Sequence, residues 1–238
     1  MIESLQNEKI KNYSKLNEKK YREEIGLFIA AGEHLVREAL KTECVKEILL
    51  LSGEKNTYGE VTYVTENILK KVSSLTNAPK VLAVCYKLKE DEIIGNTIIL
   101  DDINDPGNLG TIIRSAVAFN YNNIVLSPST VDLYNSKVIR ASEGMIFSVN
   151  IVVKEIAKIV EELKKKDYYI YGTNVSDGEL PDSVEPCAHA LIIGNEARGI
   201  NKNVAEMCDK NLYIKMNPAC ESLNAGVSAS ILMYELNK

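Results

Sequence analysis

Alternation of short apolar runs with helix-forming segments constrains this chain most. Thr97–Leu100, Asn123–Leu126, Val149–Val153, Tyr168–Thr173, Ala190–Ile193 and Asn211–Ile214 read as strands. Helices are expected over about 109–119, Ser136–Ala141, Glu155–Lys166, Lys202–Met207 and about Asn224–Leu236. This β–α alternation predicts a largely parallel sheet covered on both faces. The N-terminal part repeats it on a smaller scale. Residues 3–24 form a polar helical segment with Ile10, Tyr13 and Leu16 on one face, interrupted by Gly26. Strands Leu27–Ala30, Val45–Leu51, Thr62–Thr65 and Val81–Tyr86 follow. A helix over His34–Leu40 and another bearing Ile68, Leu69 and Val72, with Thr65 as its cap, lie between them. The charged stretch Leu88–Gly95 breaks the pattern and is taken as a linker, giving domains 1–90 and 91–238.

The 238 residues suffice for two modest domains with a core that needs no disulfide or metal. With 45% hydrophobic and 26% charged residues, the chain is an ordinary globular composition, neither collagenous nor mostly disordered. No apolar run approaches the ~20 residues that span a bilayer, and the first residues carry no basic-then-apolar leader. The five cysteines, at 44, 85, 187, 208 and 220, contain no Cys-x-x-Cys pair. Scattered thiols without a leader predict a reducing, cytoplasmic setting. With only His34 and His189, no metal site is expected, and catalysis should avoid imidazole.

Charge is unevenly spread. Residues 1–90 carry 15 basic and 13 acidic side chains, net +2, while residues 91–238 carry 13 and 20, net −7. Lys9, Lys11, Lys15, Lys19, Lys20 and Arg22, interleaved with Tyr13 and Tyr21, supply most of the N-terminal excess. Such a stripe suits a phosphate backbone, or is simply a solvated helix face.

The usual phosphate fingerprints are missing. No two glycines are separated by one residue, so Gly-x-Gly-x-x-Gly does not occur. Gly194 and Gly199 have P-loop spacing, but Ile200-Asn201 follows in place of Lys-Ser/Thr, which disfavours nucleotide hydrolysis. Neither a Gly-x-Ser-x-Gly elbow nor His-Glu-x-x-His is present.

Three loops stand out. In Asp101–Arg114, Pro106 and Gly107 make a turn, and Asn108 sits at a natural N-cap position. Arg114 lies among apolar and small neighbours on the helix that follows, where it needs a carboxylate, a phosphate or a subunit interface. The segment Leu191–Ile200 runs an apolar strand into a loop holding Glu196 between two glycines. The third, Ile214–Ser230, ends a strand, turns through polar residues and opens a helix of small residues near Ser222–Asn224. Taken singly, these also read as a capped helix with a snorkelling arginine, a plain turn and tight helix–sheet packing. Cys220 has no histidine near it in sequence and is a poor candidate nucleophile.

In this order, the loops resemble the SpoU/TrmH family of RNA ribose 2′-O-methyltransferases, within the SPOUT class. Asp105-Pro106-x-Asn108-x-Gly110-x-Ile112-x-Arg114 with Ala118-Phe119 carries the first motif. Gly194-Asn195-Glu196-x-x-Gly199 carries the second, and Ile214-x-Met216 with Ser222-Leu223-Asn224 the third. Residues 9–90 resemble the family's substrate-binding domain, through Lys19-Lys20-Tyr21-Arg22-x-Glu24-x-Gly26-Leu27-Phe28, Gly32-Glu33-x-Leu35-Val36 and Leu82-Ala83-Val84. Departures are Ala31, Asn120, Lys215 and Ala225-Gly226, the last two beside the expected cofactor pocket.

The resemblance implies an α/β fold: a C-terminal parallel-sheet domain with a trefoil knot, after a small α/β substrate-binding domain. It implies S-adenosylmethionine held by backbone near Gly194, Ile214 and Leu223, with Met216, Asn224 and Thr173 nearby. It also implies a homodimer with the active site near its interface. Arg114, Asn108 and Glu196 are the implied catalytic residues, and Lys15, Lys19, Lys20, Arg22 and Arg114 the RNA contacts. A guanidinium stays protonated, so Arg114 is expected to stabilise a developing alkoxide and grip a phosphate, not to act as a base. Asn108 would orient that arginine or its loop, and Glu196 would hold the motif loops and pair with Arg114. Large-subunit rRNA is the expected substrate. The alternatives are a tRNA 2′-O-methyltransferase, a base-nitrogen methyltransferase and a non-catalytic RNA-binding member of the fold.

Overall fold

A computed structural model describes residues 1–175, 178–181 and 187–237. The chain divides into two compact units, one of residues 1–89 and 132–147, the other of 90–131 and 148–238.

The first unit begins with helices α1 (Glu8–Lys15) and α2 (Lys19–Ile25). The expected single helix over 3–24 is split because the Asn17 side chain donates to the Ser14 carbonyl at 3.0 Å and the Val72 carbonyl at 3.1 Å. These bonds take up a carbonyl at the end of the first helix. Gly26, at φ 73°, ends α2 in the left-handed conformation that glycine adopts without cost. Then come β1 (Leu27–Ala31), α3 (Glu33–Ala39), β2 (Val45–Leu51), β3 (Thr62–Val64), α4 (Glu66–Ser73) and β4 (Val81–Tyr86). Thr65 precedes α4 as expected, but its side chain makes no capping bond. The sheet order is β1-β4-β2-β3, with β4 antiparallel to both neighbours and β3 parallel to β2. Ile10, Leu16, Leu49, Ile68, Val72 and Leu82 form its core between sheet and helices.

A helix that the sequence assigned to the second half, α6 (Ser136–Ala141), belongs to this first unit. Phe28 of β1 lies 4.7 Å from Tyr134 and 6.1 Å from Phe147 between ring centroids, which anchors the segment around α6.

The second unit is built on β5 (Thr97–Leu100), β6 (Asn123–Leu126), β7 (Asn150–Val153), β8 (Tyr169–Thr173), β9 (His189–Ile193) and β10 (Lys210–Leu212). All neighbours pair in parallel, in the order β10-β8-β9-β5-β6-β7. Every residue of β5, β6 and β9 is buried, so these strands show continuous apolar runs in place of alternation. The helices are α5 (Pro106–Ala118), α7 (Ile156–Lys164), α8 (Lys202–Ala205) and α9 (Ala225–Leu236). Helix α5 packs on α9, and α7 on α8. Asn120, at φ 59°, follows the end of α5 in the left-handed region, as expected of an asparagine there. No described helix is long and apolar enough to cross a membrane.

Candidate active site

The strand ends of the second unit bring the three loops together. Helix α5 begins at Pro106, three residues before the expected start, with Asp105 as its N-cap. The Asp105 Oδ1 accepts from the Asn108 backbone N–H at 2.8 Å. Asn108 is therefore not the cap. Proline at the first helical position has the required φ and no N–H to satisfy, so the helix starts there.

This leaves the Asn108 side chain free to bridge. Its Nδ2 donates to Glu196 Oε1 at 2.7 Å, and its Oδ1 accepts from Asn224 Nδ2 at 2.7 Å. Asn224 in turn caps α9, its Oδ1 accepting from the N–H groups of Gly226 and Val227 at 2.9 and 3.2 Å. Glu196, Asn108 and Asn224 thus form one hydrogen-bonded chain across all three motifs. Asn108 is 8% exposed, so these bonds compete with little water.

A second set of contacts fixes the Glu196 loop. Asn195 and Gly199 exchange backbone hydrogen bonds at 3.1 and 2.9 Å. The Asn195 amide donates to the Asp102 carbonyl at 2.8 Å, Arg198 pairs with the Asp102 carboxylate, and Asn201 N–H donates to Asp101 at 2.8 Å. Gly194 is needed for lack of space: a Cβ there would lie 2.3 Å from both the Gly199 carbonyl carbon and the Ile200 nitrogen.

Beside these loops lies a cleft with about 670 Å³ of empty space, part of it open to solvent. Thr173, Gly194, Ile214, Met216 and Leu223 line it, as does Glu196. Asn224 and Asn108 do not; they reach it through Glu196, which accepts from Asn108. Arg114 is exposed, with no hydrogen-bond or ion-pair partner among the described residues. The expected Arg114–Glu196 pair is not made; the Glu196 carboxylate accepts from Asn108. Nor does Asn108 orient Arg114. Lys215 is exposed and outside the cleft lining, whereas Ala225 lines it. Gly226 lets α9 approach α5, since a Cβ there would lie 3.3 Å from Thr111 Cβ.

The sequence reading named Asp105 in the first motif but not as the helix cap, and gave no role to Asp102 or Arg198. An Asp-Pro pair opening an apolar helix is a cap signal that could have identified Asp105. Asp102 and Arg198 are 96 residues apart, and nothing local marks them as partners.

In the first unit, Lys15, Lys19 and Lys20 are exposed. The ammonium groups of Lys15 and Lys20 lie 5.6 and 5.9 Å from the Tyr21 ring centroid, and Lys19 pairs with Glu23 at 3.7 Å. Arg22 does not join them. It is 5% exposed, pairs with Asp132 and donates to the Leu16 carbonyl at 2.6 Å. A buried, fully partnered guanidinium is a structural group, so the expectation that Arg22 contacts RNA is corrected.

Among known proteins, the SpoU rRNA methylase family model matches residues 95–234, and a model of an MRM3-like substrate binding domain matches residues 7–83. The 23S rRNA (guanosine(2553)-2′-O)-methyltransferase RlmP of Bacillus subtilis is 36% identical, over 99% of this chain and 98% of its own. A TrmH-family protein from Porphyromonas gingivalis superposes with a TM-score of 0.88 at 28% identity, over 98% of both chains. An RNA 2′-O ribose methyltransferase does so with a TM-score of 0.83 at 26% identity, over 99% of this chain and 97% of its own. Matched along nearly its whole length, the chain belongs to the SpoU/TrmH family of RNA methyltransferases.

Proposed function

We propose that this chain transfers a methyl group from S-adenosylmethionine to a ribose 2′-hydroxyl of 23S rRNA. The observation that carries this reading is the Glu196–Asn108–Asn224 bridge, which joins the three motifs next to one cleft, with Glu196 in its lining. The RlmP relative supports the choice of rRNA.

The cleft fits the cofactor. Among the described residues, the main-chain groups of Gly194, Ile214 and Leu223 enter no backbone–backbone hydrogen bond. They would hold the polar edges of S-adenosylmethionine, while Val175, Met216 and Leu232 offer apolar walls. Ser222 also lines the cleft and would bond to its amino-acid end. When bound, the cofactor supplies an electrophilic methyl group on a sulfonium. The protein's own contribution is positional and electrostatic. The exposed Arg114 guanidinium stabilises negative charge on the ribose oxygen as its proton passes to solvent, and grips an adjacent phosphate. Asn108 and Glu196 keep the loops in register. Lys15, Lys19 and Lys20 neutralise phosphates of the same RNA.

The same reading includes a homodimer, a trefoil knot in the C-terminal segment and a cytoplasmic site of action. Exposed Val227 and Tyr234 on α9 support an interface with a second copy. Family membership supports the knot. Ribose-methylation maps of cellular RNA with and without the gene test the reaction. Loss of one 2′-O-methyl group in 23S rRNA is expected. An unchanged rRNA map, loss of a base methyl group or loss of a tRNA mark would overturn the assignment.

A further inference from the structure

Cations placed over aromatic rings are unevenly distributed. Among the described residues, every such pair lies in the first unit: Lys15 and Lys20 at Tyr21, Arg37 at Tyr58, Lys46 at Tyr86 and Lys87 at Tyr134. Of these four tyrosines, Tyr86 is the exposed one, at 49%. Its hydroxyl makes no hydrogen bond among the described residues. Its main chain, by contrast, is fixed on both sides. Tyr86 is the last residue of β4, faces Leu27 of β1 in the ladder, and its N–H donates to the Cys44 carbonyl at 2.7 Å. A half-exposed ring on so fixed a backbone loses little further freedom when a ligand settles on it.

The cation beside it is set by an irregularity in the sheet. Along β2, Val45 lies opposite Cys85 and Glu47 opposite Val84, so Lys46 is an extra residue without a counterpart in β4. An extra residue breaks the alternation of a strand and re-aims a side chain. Here the Lys46 ammonium comes 5.5 Å from the centroid of the Tyr86 ring. Among the described residues, no ion pair or hydrogen bond holds that ammonium. The neighbouring Glu47 carboxylate is already taken up, by the Lys9 ammonium at 2.9 Å and by the hydroxyls of Tyr13 and Thr62 at 2.6 Å each.

We propose that Tyr86 and Lys46 form a stacking platform for one unpaired base of the RNA substrate, with the base on the Tyr86 ring and the adjoining phosphate at the Lys46 ammonium. The proposal rests on RNA methylation as the reaction of this chain, and adds a contact distinct from Lys15, Lys19 and Lys20. A tyrosine ring stacks on any base, and a lysine beside it neutralises the phosphate that the base brings along. The platform favours unpaired over paired RNA, because a base must leave its stack before it can lie on a side chain.

The chain contains no tryptophan, so Tyr86→Trp carries a single indole reporter. Titration with a short unpaired RNA of mixed sequence should quench its fluorescence saturably, while an abasic oligomer of the same backbone and length should not. Tyr86→Ala should weaken binding of that RNA about 5- to 100-fold, and Tyr86→Phe by less than about twofold. Lys46→Ala should flatten the log–log salt slope by about 0.7. RNA bound by the tryptophan variant without quenching, or equal affinities of Tyr86→Ala and wild type, overturns the platform and leaves the methylation reading standing. No RNA bound by the wild-type chain overturns both. Ultraviolet crosslinking of the wild-type chain to the same RNA carrying iodouridine needs no variant to fold. A crosslink at Tyr86 is expected, and crosslinks confined to other peptides overturn the proposal.

Discussion

Asn108 and Glu196 are 88 residues apart and joined by a 2.7 Å hydrogen bond, with Asn108 as donor. The same amide accepts from Asn224 at 2.7 Å, so one side chain fixes two other motifs. Asn108→Ala removes both bonds and leaves two polar partners unsatisfied. A stability loss of about 1–3 kcal/mol is expected in urea denaturation, with methylation down about 100-fold or more. Asn108→Asp should be worse near neutral pH, since it sets a carboxylate against Glu196. That repulsion raises the pKa of one of the two acids, so acidification should restore part of the activity. Equal activity of Asn108→Asp and wild type would break the link between this bridge and turnover.

Arg114 differs in kind, because the folded chain gives it no partner among the described residues. Arg114→Ala should change stability by no more than about 0.5 kcal/mol. Methylation should fall about 100- to 1000-fold while calorimetry still registers S-adenosylmethionine. Lysine keeps the charge but loses the planar fork, so Arg114→Lys should recover only a small part. A large drop in melting temperature for Arg114→Ala would mark it as structural instead.

Much of this architecture was legible in the sequence. Val45–Leu51, Val81–Tyr86, Thr97–Leu100 and Asn123–Leu126 are strands with the bounds expected of them. Their apolar runs are buried by neighbours on either side, so a local pattern carries the information. The misses are non-local. Arg22 looks like its lysine neighbours until Asp132, 110 residues away, is brought to it. Helix α6 joins the first unit through Phe28, Tyr134 and Phe147, which no periodicity connects. The motif order identified the cleft, but whether Asn108 caps α5 or bridges the motifs depended on where α5 begins.

The four residues of the N-terminal stripe expected to contact RNA, Lys15, Lys19, Lys20 and Arg22, should separate on this ground. Arg22→Ala leaves the Asp132 carboxylate unpaired in a partly buried setting and should cost about 3–5 kcal/mol. Replacing Lys15, Lys19 and Lys20 by alanine should leave stability nearly unchanged. RNA affinity should fall, and its log–log salt slope should flatten by up to about 3. An unchanged slope in the triple variant would place the RNA elsewhere on the chain.

Gly194 tests the cofactor loop. The methyl group of Gly194→Ala would overlap the Gly199 and Ile200 backbone at 2.3 Å, and no rotamer change relieves contact with main chain. The loop must shift, displacing the main-chain groups assigned to the cofactor. Calorimetry should show S-adenosylmethionine affinity reduced at least tenfold, with RNA binding by the first unit retained. Wild-type cofactor affinity in this variant would remove Gly194 from the binding site.

His189 supplies a pH dependence that is independent of catalysis. It is 3% exposed, at the start of β9. Its Nδ1 lies 2.9 Å from the Cys187 carbonyl, which can only accept, so Nδ1 carries the proton. The other nitrogen, Nε2, then accepts from the Tyr121 hydroxyl at 2.6 Å. Burial lowers the His189 pKa, against the opposing Cys187 hydrogen bond. In the unfolded chain the imidazole titrates near its ordinary value of about 6.5. Between the lowered folded value and about 6.5, the unfolded state binds more protons than the folded one, so stability rises with pH. Above that window the contribution is constant, and below the folded pKa the slope vanishes. The urea midpoint should therefore climb from pH 5 to pH 7, and His189→Gln should flatten that climb. A climb of equal size in the variant would assign the titration to other groups.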